Sequence, residues 1–139
     1  MTQIHLHPFR PEQGDARPLR KLARNYRAEY RQYQNALEIQ RDSAQGRWVA
    51  IESHAPGALA YNAPWWSDLM QERYAQAGGL HLVTGSMNHG LPLEVLEMMD
   101  HHVYIPQFDD VPFHAPVTAA AIVLQEIFMQ VANRQGVFG

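Results

Sequence analysis

The chain has 139 residues, a formal net charge of -3 and no cysteine, and 46% of its residues are hydrophobic. This length fits a single domain, 1–139, with a packed core, and the lack of cysteine excludes disulfides and thiolate chemistry. The negative charge argues against a strong general affinity for nucleic acid, so we expect no DNA partner. No apolar run is long enough to cross a bilayer and the amino end has no signal-peptide core, so we expect a cytoplasmic protein without a membrane partner.

The positive charge is concentrated towards the amino end. Residues 10–47 hold nine of the eleven basic residues and five of the acidic ones. A local basic region can contact phosphate even in an acidic protein. The alternative is a helix surface that is merely solvated.

The first predicted elements are a strand and a long helix. The segment IHLHPF alternates and predicts a strand through Ile4 and Leu6. Residues 15–44 predict one helix, because apolar residues recur at spacings of three and four and Asp15 is a suitable cap. Five arginines recur along a second side of this helix, namely Arg17, Arg20, Arg24, Arg27 and Arg31.

The remaining predicted elements alternate between strand and helix. In chain order they are the strand RWVAIES, the helix WWSDLMQERYAQA, the strand LHLVT, the helix LPLEVLEMMD, the strand HVYIPQ and the helix PVTAAAIVLQEIFMQVANRQG. This alternation predicts an α/β fold with a mostly parallel sheet and helices on both faces. Ligands of such sheets bind beyond the carboxyl ends of the strands. Three loops qualify, and they converge if their strands are adjacent: SHAPGALAYNAP, GSMNHGLP and PQFDDVPFHAP.

Several histidines raise the question of a metal site. His5 and His7 share one strand face at a spacing that can chelate, and the other histidines considered are His89, His101, His102 and His114. The chain has no cysteine, no H-E-x-x-H and no paired histidines on a helix. We therefore interpret these histidines as scattered surface residues and predict no metal site.

The carboxyl half contains an ordered series of short motifs. The loop GSMNHGLP precedes a short helix, a strand that ends in IPQ, the triplet FHA five residues later, and a helix with a late Glu126. This order and spacing resembles the SpoU (SPOUT) RNA methyltransferases, whose motifs are G-S/P-E-x-x-G-L-P, I-P-M and S-L-N. The family's amino-terminal motif N-x-G-x-x-x-R falls on Gly14, Ala16 and Arg20, of which only the arginine is kept. Between Arg20 and Gly85 the chain is shorter than the family pattern by about one strand–helix unit.

The resemblance implies a carboxyl-terminal trefoil knot, a homodimer, and S-adenosylmethionine held largely by backbone amides of the three loops. The homodimer is also expected because the last helix is apolar on nearly every side. The positions implied for the cofactor are Ser53, Gly85, Ser86, Gly90, Leu91, Ile105, Gln107 and Ala115. The implied reaction is methylation of a ribose 2′-hydroxyl in tRNA or rRNA, with Arg20 near the ribose and His114 as a candidate base. The other arginines are candidates for contacts with RNA phosphates, namely Arg17, Arg24, Arg27 and Arg31.

The sequence departs from the family pattern at functional positions. Met87 stands for the glutamate of the first motif, Gln107 for the methionine of the second, and Phe113-His114-Ala115 for S-L-N. Two functions therefore stay open. One is a divergent RNA 2′-O-methyltransferase, and the other is a catalytically inactive SPOUT descendant that binds RNA or a protein.

Overall fold

The structure is a computed structural model, and it describes residues 2–51, 58–86, 90–106 and 114–134. The described part contains six strands and six helices. In chain order they are β1 (Ile4–Pro8), α1 (Ala16–Asn25), β2 (Glu29–Tyr30), α2 (Ala36–Asp42), β3 (Arg47–Ile51), β4 (Leu59–Ala60), α3 (Trp66–Gln71), α4 (Arg73–Gly78), β5 (Leu80–Thr84), α5 (Leu93–Leu96), β6 (His101–Tyr104) and α6 (Pro116–Arg134).

The strands form one sheet in the order β2-β1-β5-β3-β6-β4, and every described pair is parallel. The predicted parallel sheet is confirmed, and it gains two short edge strands. β1 and β3 both pair with β5 along its whole length, so Pro8, Thr84 and Ile51 end level with one another. The loops that follow these strands therefore start from the same edge of the sheet.

Helices cover both faces of the sheet, as predicted. On one face, Leu6 and Leu82 pack with residues of α1, α3 and α6 such as Leu19 and Ile127. We call this the apolar face. On the other face, Trp48 and Val83 pack with residues of α2 and α5, including Ile39 and Val95. His5, His7 and His81 contact one another and Trp48 on this side, and we call it the histidine face.

The prediction of one helix over residues 15–44 is wrong. α1 ends at Asn25, and Arg27 has a φ of +55°, a left-handed conformation that ends a helix. β2 then pairs with β1, and Asn35 begins α2. The spacing of the tyrosines suits a helix, but pairing with the edge of β1 outweighs local periodicity. β2 and α2 both lie between Arg20 and Gly85, the stretch that is shorter than the family pattern.

The helix predicted over WWSDLMQERYAQA is also divided. Glu72 has a ψ of 143°, which separates α3 from α4. Its carboxylate pairs with Arg47 at the start of β3. The ion pair gives Glu72 a partner outside the helix, so the interruption joins α3 and α4 to the amino edge of the sheet.

The trefoil knot depends on how the loops containing 87–89 and 107–113 pass one another. These segments lie outside the described residues, so the knot stays a prediction. No helix in the described part of the chain is long and apolar enough to cross a membrane.

Candidate functional site

Three loops leave the carboxyl edge of the sheet from neighbouring strands. β5, β3 and β6 are adjacent in the sheet order, so the loops after Ile51, Thr84 and Tyr104 start side by side. Convergence of these loops was expected only if the three strands are adjacent, and they are adjacent. Among the candidate cofactor positions, Ser53 and Gln107 lie outside the described residues. The same holds for two motif departures, Met87 and Phe113.

The loop after β5 is closed by contacts between its two ends. Ser86 forms an antiparallel bridge with Gly90, and the Gly90 N–H donates to the Ser86 carbonyl at 2.9 Å. A Cβ on Gly85 would lie 2.5 Å from the carbonyl carbon of Gly90, so no other residue fits at position 85 without a shift. Gly90 itself has a φ of +60°. Backbone geometry therefore explains both motif glycines: each allows the loop to turn tightly at the end of β5.

The apolar candidates lie on either side of this edge. Leu91 is buried and packs with the core of the histidine face, whereas the half-buried Ile105 packs against the core of the apolar face. The carbonyl of Ala115 accepts from the N–H of Ala119 at 3.0 Å, which places Ala115 at the beginning of α6. The two apolar candidates therefore lie against different faces of the sheet, and Ala115 lies at the start of the last helix.

Thr84, the last residue of β5, adds a buried polar atom at this rim. Its side chain is 2% exposed, and its Oγ1 has no hydrogen-bond partner among the described residues. Buried hydroxyls normally have a partner, because burial without one is unfavourable. Sequence analysis missed Thr84, since a threonine that ends a strand carries no distinguishing pattern.

The two candidate catalytic residues are not joined by a contact in the described part of the chain. Arg20 is exposed on α1, and its guanidinium lies 5.1 Å from the centre of the Tyr30 ring at the end of β2. Burial raises the pKa of the Tyr30 hydroxyl, and the charge of Arg20 opposes that shift. His114 is half-buried just before α6. Arg20 thus lies beside Tyr30 at the end of the edge strand β2, and His114 lies at the start of α6.

The prediction that five arginines lie along one side of a single helix is wrong. Arg17, Arg20 and Arg24 are exposed together on α1. Arg27 lies in the turn that follows α1. Arg31 follows β2, pairs with Asp42 at 3.3 Å and lies over the Tyr33 ring. The arginines exposed on α1 are therefore a group of three, here called the α1 arginines, with Lys21 exposed on the same helix, and Arg31 is held by an acid.

The interpretation of the histidines as scattered surface residues is wrong for His7. His7 is 2% exposed, and it meets His5 and His81 on the histidine face. His81 was not considered in the sequence analysis. The signal was present, however, because β5 reads L-H-L and β1 reads H-L-H, so alternation places all three histidines on one face of a parallel pair.

Comparison with known proteins gives a match in structure alone. No protein-family model and no curated protein matches the sequence. A "probable methylase family protein" from Haemophilus influenzae Rd KW20 superposes with a TM-score of 0.75 at 13% identity, over 98% of this chain and 70% of that one. The A. aeolicus TrmH/SpoU tRNA modifying enzyme gives 0.65 at 11% identity, over 98% and 78%. The SpoU methyltransferase AviRb from Streptomyces viridochromogenes, in complex with the cofactor AdoMet, gives 0.70 at 16% identity, over 99% of this chain and 59% of that one. The chain therefore has the α/β fold of the SpoU/TrmH methyltransferases, as its motifs led us to expect.

Proposed function

We propose that this protein binds S-adenosylmethionine at the carboxyl edge of its sheet and methylates a ribose 2′-hydroxyl of tRNA or rRNA. The observation that carries the proposal is that the adjacent strands β3, β5 and β6, each followed by one of the three candidate loops, end at one edge of the sheet. The edge where strands of a parallel sheet end is the usual ligand position in α/β proteins. The shared fold with AviRb, which holds AdoMet, supports this assignment.

The described residues suit such a cofactor. Gly85 and Gly90 keep side chains away from the closed loop, so the main chain can approach a ligand. The half-buried Ile105 offers apolar surface, and the Thr84 hydroxyl offers a buried polar group without a partner among the described residues. S-adenosylmethionine would supply an electrophilic methyl group at this edge.

Two side chains are candidates for handling the RNA at the reacting atoms. Arg20 would orient the ribose through its phosphate, since a guanidinium makes forked hydrogen bonds to phosphate oxygens. His114 would accept the proton that the 2′-hydroxyl loses as its oxygen takes the methyl group. Arg17 and Arg24, on the same side of α1 as Arg20, would contact neighbouring phosphates.

We also propose a homodimer in which α6 lies at the interface. Phe128 is 50% exposed and Met129 is 40% exposed on this helix, beside a fully buried Ile127. Adjacent large apolar side chains on a surface are typical of protein interfaces. Sedimentation at micromolar concentration should give twice the 15.9 kDa chain mass, and Phe128→Glu should give the monomer.

A second function is supported by the sequence at the site. Met87, Phe113 and Ala115 replace an acid, a hydroxyl and an amide of the family motifs. These side chains cannot orient a hydroxyl or move its proton. A catalytically inactive descendant that binds RNA or a protein is therefore the alternative.

One pair of measurements separates these functions. Calorimetric titration with S-adenosylmethionine measures binding, and transfer of a labelled methyl group to total tRNA or rRNA measures activity. Binding with transfer supports the enzyme, and binding without transfer supports an inactive descendant that keeps the cofactor. A flat titration would contradict cofactor binding altogether.

A matched pair of glycine variants tests the location of the cofactor. Gly85→Ala places a Cβ 2.5 Å from Gly90, and Gly78→Ala places one 2.3 Å from Gly46 at the opposite edge of the sheet. Both variants should lose stability through a close backbone contact. Among molecules that remain folded, only Gly85→Ala should weaken binding of S-adenosylmethionine. Equal affinity of the two variants for S-adenosylmethionine would contradict a cofactor site at this loop.

A further inference from the structure

Three imidazole rings from two neighbouring strands meet on the histidine face. His5 and His7 extend from β1, and His81 extends from β5 level with His5. One ring nitrogen from each residue lies within 4.8 Å of the other two. His5 and His81 are the second residues of their strands, whereas His7 lies two positions further along β1, level with Val83. His81 is four positions before Gly85, or about 13 Å along a strand, and the level of His7 is two positions before it, or about 7 Å. The rings lie on the histidine face and the proposed cofactor site lies at the strand ends, so the two sites are distinct.

The rings are stacked in layers. His7 and His81 approach edge to edge, with Nε2 of His7 2.8 Å from Nδ1 of His81 and the two planes 7° apart. The Trp48 indole covers this pair on one side, with its centre 4.2 Å from that of His81. His5 stacks on the other side of His81, also at 4.2 Å. His5 is only half-buried, so it is the member of the group nearest to solvent.

With both rings neutral, the hydrogen bonds leave the two facing nitrogens, Nε2 of His7 and Nδ1 of His81, without a proton between them. Nδ1 of His7 lies 2.8 Å from the Arg31 carbonyl oxygen, and Nε2 of His81 lies 2.7 Å from the Gly78 carbonyl oxygen. A carbonyl oxygen only accepts hydrogen bonds. Each neutral ring therefore donates its single N–H to its carbonyl, His7 to Arg31 and His81 to Gly78. The two nitrogens that face each other therefore both carry lone pairs, and a cation between them would relieve their repulsion.

The hydrogen bonds of these rings suit metal binding. Neutral imidazole is the ligand form of histidine. Histidines that bind metals usually donate their other N–H to a carbonyl or a carboxylate, which is the arrangement found at His7 and His81.

We propose that His5, His7 and His81 form a binding site for a divalent transition-metal ion of the zinc type. Three imidazoles are an established zinc donor set, with Zn–N distances of about 2.0–2.1 Å. Two such ligands of a tetrahedral ion lie about 3.3 Å apart, so the His7 and His81 nitrogens have to separate by about 0.5 Å. His5 has to turn out of its stacked position to direct a nitrogen at the ion, and its partial exposure permits that rotation.

The neighbouring strand offers a fourth ligand. Glu29 lies level with His5 on β2 and is exposed. A carboxylate in that position would complete a four-coordinate ion. Bound metal would then join β2, β1 and β5, and through the His7 hydrogen bond it would hold the segment at Arg31. We infer a structural metal that stabilises this half of the sheet.

The test uses tag-free, metal-stripped full-length protein titrated with ZnCl₂ by calorimetry and with Co²⁺ by visible absorption. We expect one ion per chain, Co²⁺ bands typical of low coordination number, and a higher Tm with Zn²⁺. His5→Gln removes the half-buried ligand without opening the core, and it should weaken Zn²⁺ binding by about tenfold or more. His101→Gln, which removes a histidine from β6 outside the group, should leave affinity and stoichiometry unchanged.

Three outcomes would overturn the metal site. The first is that wild-type protein does not bind Zn²⁺ at a tenfold excess of the ion. The second is that His5→Gln and His101→Gln bind equally well, which would indicate adventitious surface sites. The third is that nitrogen NMR of the metal-free protein shows a shared proton between His7 and His81 at pH 7, and that Zn²⁺ does not change those signals. In that case a proton takes the position assigned here to the metal.

Discussion

The two faces of the sheet use alternate residues of the same strands in different ways. Leu6 and Leu82 point to the apolar face and are fully buried among side chains of three helices. The residues one step away, His7 and His81, point to the opposite face and are held by two backbone carbonyls and an indole ring. Burial is non-directional and depends on area, whereas hydrogen bonds depend on geometry and protonation.

This difference separates what each face contributes. The apolar face supplies stability that should change little with pH or with added metal ions. The histidine face contains titratable groups in a buried position, and such groups make stability depend on solution conditions. Variants on the two faces should therefore differ in how much stability they lose and in whether that loss depends on pH or on metal ions.

The largest effect is expected on the apolar face. Leu82 is fully buried on a central strand, so Leu82→Ala should lower the free energy of unfolding by about 2–5 kcal/mol through lost burial and a residual cavity. Urea unfolding measures the change. The matched control is Leu37→Ala, because Leu37 is 74% exposed on α2, and its change should stay within about 0.5 kcal/mol. Similar losses in the two variants would contradict the described core.

The second effect is a pH dependence that belongs to the histidine face. His7 and His81 have pKa values of about 3 and about 4 in the folded chain, below the ordinary value of about 6.5. Above pH 6.5 both states are neutral and these residues add no slope. As the pH falls from 6.5 towards 4, the unfolded chain takes up protons that the folded chain does not, so stability falls. Metal-free protein in a chelator should show this loss in urea unfolding.

One variant on each face separates this dependence of stability on pH from a general loss of stability. His81→Leu should reduce it by up to about 1.4 kcal/mol per pH unit, which corresponds to one proton. Val49→Ala on the apolar face should lower stability at every pH and leave the slope unchanged. If wild-type stability instead rises as the pH falls through this window, the folded His7–His81 pair already holds a proton.

A smaller effect is expected where α2 begins to cover the histidine face. The Asn35 side chain accepts from the Glu38 N–H at 3.0 Å, and the Glu38 carboxylate accepts from the Asn35 N–H at 3.2 Å. Asn35→Ala removes half of this capping box and should cost about 1 kcal/mol in thermal unfolding. Gln34→Ala changes the adjacent exposed side chain and should cost much less. Equal costs would show that the cap does not stabilise α2.

The sequence was sufficient for the elements whose limits are marked by glycine and proline. The strand LHLVT lies between Gly79 and Gly85, Pro92 precedes α5, and Pro116 is the first residue of α6. Parallel pairing followed from strand–helix alternation, whereas the adjacency of the three loop-bearing strands was a condition that only the sheet order could meet. The closed loop at Gly85 and Gly90 could be anticipated from its motif, although the contact between the two glycines needed coordinates.

Other features depend on contacts between distant parts of the chain. Tyr26, Tyr30 and Tyr33 recur at helical spacing, yet β2 forms because the edge of β1 is available to pair with it. The capping box at Asn35 and Glu38 was a local signal that a new helix begins there, and periodicity concealed it. The histidine group required the register of β1 against β5, which the sequence does not specify.

The smallest effect on stability, and the most direct test of RNA binding, concerns the outer surface of the helix that covers the apolar face. Arg17 and Arg24 are exposed on α1 seven residues apart, or about 10 Å along the helix. Neither makes an ion pair with any described residue, in contrast to Arg31, which pairs with Asp42. Arg17→Gln with Arg24→Gln should therefore leave the Tm nearly unchanged.

RNA retention at low salt should fall in the same double variant, because each arginine that contacts a phosphate releases counterions on binding. The control is Arg41→Gln with Arg73→Gln, which removes the same charge from exposed positions on α2 and α4. If both double variants lose retention equally, net charge alone drives the binding and α1 has no special role. If wild-type protein retains no RNA at low salt, the α1 arginines only solvate the helix. Loss in the first double variant alone, with a shallower dependence on salt, would mark α1 as the surface that meets the phosphate backbone, and it would do so without any change on the buried side of the same helix.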